Sequence, residues 1–109
     1  MERIAFLLGV RAGYEEEYKR RHDNLWPELS KEMRGAGVSK MSIFRFGLQL
    51  FLYMEVEDYA ESVRILENSP VSIRWENYMA PIMHSADGGD YDPVDAYSDG
   101  LPEVFHWEA

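Results

Sequence analysis

The chain contains no cysteine, which excludes a disulfide, a thiolate metal site and a cysteine nucleophile. No apolar run approaches the roughly 20 residues that a membrane-spanning helix needs. The first ten residues lack the basic start, long apolar stretch and small-residue cleavage site of a secretory signal. These absences together lead us to expect a soluble, cytoplasmic protein. Positive charge is missing from the last third. Residues 1–74 hold all 11 basic residues against 12 acidic ones, whereas residues 75–109 hold eight acidic residues and none that is basic. The net charge of -9 therefore sits almost wholly after Arg74. Nucleic acid and anionic membrane both require a basic footprint, so neither is expected as a partner. No phosphate-cradling glycine loop or serine-nucleophile elbow occurs. His84 and His106 stand alone, outside any His-x-x-x-His or His-Glu-x-x-His spacing, so no metal and no cofactor are expected. The stretch from Asp87 to Asp95 faintly suggests calcium. It lacks the glycine and closing glutamate of an EF-hand loop and reads as a solvated loop.

What remains is well suited to packing. Hydrophobic residues make up 46% of the 109, and 15 are aromatic, which fits one folded domain with a modest core. Arg3 to Val10 is short and apolar and reads as a strand. Tyr14 to about Asn24 is charged and free of Gly and Pro. It reads as a helix, with Glu15 to Glu17 suiting the positive end of its dipole. A second helical piece starts at Pro27, a favoured first helical residue, and runs to about Arg34 before Gly35 and Gly37. Val38 to Phe46 and Gln49 to Glu57 read as a hairpin around Gly47-Leu48. Asp58 is placed to cap a helix over 59–68, and Ser69-Pro70 restarts another that ends near Pro81. Residues 84–100 read as a long acidic loop and Leu101 to Trp107 as a last strand. The order β-α-β-β-α-β, with a proline interrupting each helical region, predicts an α+β, ferredoxin-like antiparallel sheet with helices on one face. A second copy covering the other face would give a dimeric α/β barrel.

Two constellations carry possible chemistry. Tyr18 and His22 are four apart, so on a helix they share one face, and Trp26 continues the row. A histidine titrating near neutrality between two amphipathic rings suits a polyol, whose apolar faces stack while its hydroxyls hydrogen-bond. The same row equally fits an aromatic strip packing a helix onto the sheet. Downstream, Trp75, Tyr78 and Met79 fall at i, i+3 and i+4, the spacing of a core stripe. Glu76 lies off that stripe and reads as a solvated charge.

The chain resembles the L-rhamnose mutarotases, small dimeric sugar epimerases. The likeness starts at Ala5-Phe6 and passes through Glu17-Tyr18, Arg20-Arg21-His22 and Trp26-Pro27-Glu28-Leu29. It continues through Gly37, Ile43, Met54-Glu55-Val56, Arg74-Trp75 and Tyr78-Met79 to Glu103-Val104-Phe105. The Arg-Arg-His…Trp-Pro-Glu-Leu segment followed by Arg-Trp…Tyr-Met is its specific part. The resemblance implies one mutarotase-like domain over 1–109, a homodimer, no cofactor and a monosaccharide substrate. It implies that His22 is the catalytic proton-transfer residue, and that Tyr18 and Trp75 contact the sugar. Two positions depart. Met41 stands where the family's rhamnose enzymes carry a tyrosine, and Glu76 replaces the second of two adjacent tryptophans. Both are expected to line the substrate site, Glu76 as acceptor of a sugar hydroxyl bond or, as the lesser alternative, as a second acid/base, and they put the identity of the sugar in question.

Mutarotation needs only proton transfers. The ring opens when the ring oxygen gains a proton and the anomeric hydroxyl loses one, and it closes on the other face by the reverse. A group with pKa near neutrality serves either role. The same fold also hosts cofactor-free or haem-handling oxygenases, and a non-catalytic sugar-binding module is a third possibility.

Overall fold

The computed structural model describes residues 1–93 and 96–109. Its elements are β1 (Glu2–Val10), α1 (Glu15–Asp23), α2 (Pro27–Gly35), β2 (Val38–Phe46), β3 (Gln49–Val56), α3 (Tyr59–Glu67), α4 (Pro70–Met79), a 3₁₀ turn over Ala80–Ile82, and β4 (Met83–His84). The sheet order is β2-β3-β1-β4, with every neighbouring pair antiparallel. This is the ferredoxin-like arrangement, with the two helical pairs packed on one face.

Local chemistry explains most of these boundaries. The Asp58 carboxylate accepts from the Glu61 amide at 3.2 Å and caps α3. Ser69 does the same for α4 through Ser72 N at 3.4 Å, with Pro70 as the first helical residue. α1 has no side-chain cap. It relies on Glu15, Glu16 and Glu17 in its first turn and on Arg20 and Arg21 in its last, all of favourable sign for the dipole. Gly47 takes a φ of +61° in the two-residue connection between β2 and β3, as a type II′ hairpin turn requires of its first central residue.

Strand alternation decides which side chains form the core. In β3, Leu50, Leu52, Met54 and Val56 are buried against the helices, whereas Phe51 points to the other face and stays exposed. Phe44 and Phe46 of β2 are exposed on that same outer face. Inside, Val10, Tyr18, Leu29, Leu50, Trp75, Met79, Ile82 and Met83 form one cluster. Phe6, Leu52, Met54 and Val56 form a second, and Leu8 and Ile43 pack against both.

The last strand is not where the sequence places it. β4 is Met83–His84, paired with Val10 and Gly9, so the acidic loop begins after His84 and not at it. In 101–107, Leu101 N donates to Ala5 O at 2.7 Å and Arg3 pairs with Glu103 at 2.9 Å. The segment thus runs beside β1, but Pro102 has no amide to donate, and no ladder forms. Val104, Phe105 and Trp107 are 93%, 78% and 71% exposed. Their β-forming composition meets no inward surface among the described residues.

The β1–β4 contact is close because residue 9 is glycine. A Cβ there would lie 2.1 Å from His84 Nδ1 and 2.8 Å from the Ser85 carbonyl oxygen. The second neighbour is backbone and cannot swing away. Gly9→Ala is therefore expected to lower unfolding free energy by about 1–3 kcal/mol, read from denaturant titration. An unchanged midpoint would contradict this packing.

Candidate active site

Tyr18 and His22 stand one turn apart on α1, and their rings stack with centroids 4.4 Å apart. α1 ends at Asp23, so Trp26 does not continue the helical row. The chain turns and delivers Trp26 just before Pro27, where its ring meets Trp75 edge-on at 5.1 Å. Trp75 comes from α4 and also meets His22 edge-on, at 5.2 Å. His22 is thus held between a tyrosine face and a tryptophan. Trp75 and Met79 are core residues, as their spacing suggests, but Tyr78 is not. It is 39% exposed, stacks on Trp26, and lies under the Arg21 guanidinium at 4.0 Å.

The hydrogen bonding of His22 fixes its tautomer. Nδ1 lies 3.0 Å from the Tyr18 carbonyl oxygen. A carbonyl only accepts, so Nδ1 carries the proton, and in the neutral ring Nε2 is left as the acceptor. Burial pushes the imidazole below its ordinary value near 6.5, against the weaker pulls of the Tyr18 carbonyl and Asp23. The ring is therefore neutral at pH 7, with a basic Nε2.

His22 lines an inner cavity of about 100 Å³ together with Tyr18, Met41, Trp75, Glu76 and Tyr91. An outer cleft of about 520 Å³ shares Tyr18, His22, Leu25, Met33, Met41 and Ile43 with it, and has Glu15, Lys19, Asp23 and Arg45 among its other walls. The inner volume alone holds only a few waters. Inner cavity and cleft together reach the size of a small-molecule site. All five residues singled out in the sequence, Tyr18, His22, Met41, Trp75 and Glu76, line the inner cavity.

Glu76 lines the cavity as the resemblance implies, against its pattern reading. It is not a solvated charge: Tyr91 Oη donates to its Oε2 at 3.0 Å inside the cavity wall. Burial raises this carboxyl from 4.5 to about 7, with the Tyr91 hydroxyl pulling the other way. The Tyr18 phenol is held well above 10, first by burial and then by the nearby Glu76 charge, so it remains a neutral donor.

Sequence reasoning missed Tyr91 and Tyr97, which the loop after β4 folds over the cavity with Ala96. Tyr97 sits 3.4 Å from the Ser72 hydroxyl, and the Tyr59 hydroxyl donates to the Ser98 carbonyl, so the loop is tied to both α3 and α4. The one signal in sequence was the presence of aromatic residues within a Gly- and Asp-rich stretch. Val94 and Asp95, at the end of the calcium-like stretch, lie outside the described residues. Among the described residues, no group of three or more His, Asp or Glu is placed to hold a metal ion, and no helix is long and apolar enough to cross a membrane.

Comparison with known proteins agrees over the whole length. The family model described as L-rhamnose mutarotase matches residues 3–107. The L-rhamnose mutarotase of Listeria monocytogenes is 41% identical over 108 residues, covering 97% of this chain and 98% of its own. The crystal structure of an L-rhamnose mutarotase from Formosa agariphila superposes with a TM-score of 0.81 at 34% identity, over 99% of this chain and 100% of that one. Tetracenomycin F2 cyclase from Streptomyces glaucescens covers 100% of this chain and 99% of its own, with a TM-score of 0.59 at 20% identity, a likeness of fold alone.

Proposed function

The chain belongs to the L-rhamnose mutarotase family, and from that membership we propose that it interconverts the α and β anomers of L-rhamnose, with His22 transferring the proton. One observation carries the role of His22. Its Nδ1 is tied to the Tyr18 carbonyl at 3.0 Å, which leaves Nε2 as the acceptor of a ring that lines a cavity walled mostly by aromatic and aliphatic side chains. Nε2 takes the anomeric hydroxyl proton as the ring opens and returns it as the ring closes. Tyr18, Trp75, Met41 and Glu76 bind the sugar. Trp75 offers an apolar surface to the ring, Tyr18 a neutral hydroxyl, and Glu76 a polar group in the cavity wall. No covalent intermediate is needed. The oxygenase and non-catalytic readings draw no support from the family match. A freshly dissolved single anomer of L-rhamnose, followed by optical rotation, should reach its equilibrium value faster with catalytic amounts of protein. Equilibration at the buffer rate would end the proposal. Running L-fucose, L-lyxose, D-galactose and a uronic acid beside it ranks the sugars that Met41 and Glu76 favour.

The same proposal takes the whole chain as one domain acting in the cytoplasm as a homodimer. Leu7, Phe51 and Phe44 form a cross-strand row on the sheet face away from the helices, with Phe46 nearby. Phe44 and Phe46 are 66% and 76% exposed in the single chain. A second copy laying its own sheet there would bury this band. Light scattering should give twice the chain mass, and Phe44→Glu should shift it toward one. A wild-type mass of a single chain would contradict the dimer.

A further inference from the structure

Opening a pyranose moves two protons. One leaves the anomeric hydroxyl and one arrives at the ring oxygen. His22 has one free nitrogen and serves one of these transfers. Glu76 follows Trp75 on α4 and lines the same inner cavity. It also lines an outer pocket of about 410 Å³ with Leu66, Glu67, Asn68 and Ile73, and among the described residues only Glu76, Ala96 and Tyr97 are common to both spaces. The carboxyl therefore stands in the wall between the sugar cavity and a second pocket, with the Tyr91 hydroxyl donating to Oε2 at 3.0 Å. We propose that Glu76 is a second catalytic acid/base, which supplies the ring-oxygen proton while His22 takes the proton of the anomeric hydroxyl.

The step balances without a co-reactant. As the bond from the anomeric carbon to the ring oxygen breaks, the anomeric oxygen forms the aldehyde carbonyl and its proton moves to His22 Nε2. The ring oxygen receives the Glu76 proton. This leaves an imidazolium and a carboxylate in the cavity. After the aldehyde turns its other face, the hydroxyl returns its proton to Glu76 and closes on the carbonyl carbon, and His22 reprotonates the anomeric oxygen. Both residues end as they began.

The groups facing Glu76 among the described residues allow this resting state. α1 presents Tyr18 and His22, the loop after β4 presents Tyr91 and Tyr97, and the C-terminal end of α3 presents Glu67 across the outer pocket. None of these offers a lysine or arginine to hold the carboxyl ionised. Burial keeps Glu76 protonated up to about pH 7, and it keeps His22 neutral to below its ordinary range. The working pair, neutral His22 with protonated Glu76, is thus fullest just on the acid side of neutrality. Its loss above about pH 7 is the mark of Glu76.

The inference rests on the mutarotase reading, and one experiment separates the two. The anomer-exchange rate on L-rhamnose is measured from pH 5 to 9 for wild type, Glu76→Gln and Tyr91→Phe. Wild type should give a bell. Glu76→Gln still accepts from Tyr91 but holds no transferable proton. It should lose about 10²-fold in kcat, with KM nearly unchanged and the alkaline limb gone. Tyr91→Phe removes a donor that favours the carboxylate, so its alkaline limb should move to higher pH. A wild type that accelerates exchange while Glu76→Gln keeps both its kcat and its alkaline limb overturns the role of Glu76 alone. So does a Tyr91→Phe limb that stays in place. A wild type with no acceleration overturns the mutarotase reading beneath it. Carbon-13 NMR of glutamate-labelled protein supplies a readout independent of turnover. One carboxyl signal, missing in Glu76→Gln, should titrate near pH 7, and its titration in the ordinary carboxylate range would also overturn the proposal.

Discussion

Replacing His22 with alanine should slow enzyme-catalysed anomer exchange on L-rhamnose by roughly 10²–10⁴-fold, the span that a positioned general acid or base contributes. The expectation rests on the ring's hydrogen bonding. Only Nε2 is available as an acceptor once Nδ1 donates to the Tyr18 carbonyl, and alanine removes it without touching the backbone bond that holds the helix. Tyr18, Trp75, Met41 and Glu76 would still line the cavity, so binding should weaken far less than turnover. The pH dependence has a fixed sign. Burial lowers the His22 pKa, so the neutral base persists to below 6.5, and the acid limb of the profile falls as the ring is protonated beneath that. Exchange measured by magnetisation transfer between the anomeric protons reads this directly. A His22→Ala rate equal to wild type would remove His22 from the mechanism.

The largest expected effect on stability lies at Trp75. It is 6% exposed, belongs to the cluster that joins α1, α2 and α4 to the sheet, and meets both His22 and Trp26 edge-on. Trp75→Ala should cost about 3–5 kcal/mol, since the removed ring leaves a cavity that three helices cannot close together. A domain of this length has about 5–15 kcal/mol in all, so the variant should melt at least about 10 °C lower. Tyr78 provides the contrast. It is only one helical turn away but 39% exposed, with its ring on Trp26 and under Arg21. Tyr78→Ala should cost under about 1.5 kcal/mol. Equal losses for the two would contradict the placement of the core on α4. Trp75→Ala should also weaken sugar binding, because the same ring forms the cavity wall beside His22.

The features legible in the sequence are those set by neighbours along the chain. Asp58 and Ser69 cap the next helix, Pro27 and Pro70 open theirs, and Gly47 makes the hairpin, all within a few residues. The Tyr18–His22 pair was legible for the same reason, since one helical turn brings the two rings together. The fourth strand was not. Met83–His84 is two residues long, and pairing with Gly9 and Val10 depends on the missing Cβ at Gly9, which sequence pattern does not reveal. Leu101 to Trp107 has strand composition but finds only one backbone partner on β1, Ala5. Trp26 reached the site by a turn after α1 and not by helical periodicity. The burial of Glu76 is not legible from its place off the α4 stripe, because it is produced by residues 15 and more positions away. Tyr91, Ala96 and Tyr97 cover it only when the loop after β4 folds back, and nothing local to α4 indicates that.

This chain is expected to speed the interchange of L-rhamnose anomers through His22. The most direct test is magnetisation transfer between the α and β anomeric proton signals of L-rhamnose at equilibrium, with wild type and His22→Ala each at catalytic concentration. Transfer should rise with wild-type protein and fall back toward the buffer rate with His22→Ala. Transfer no faster with wild type than in buffer, or equally fast with both proteins, would contradict it.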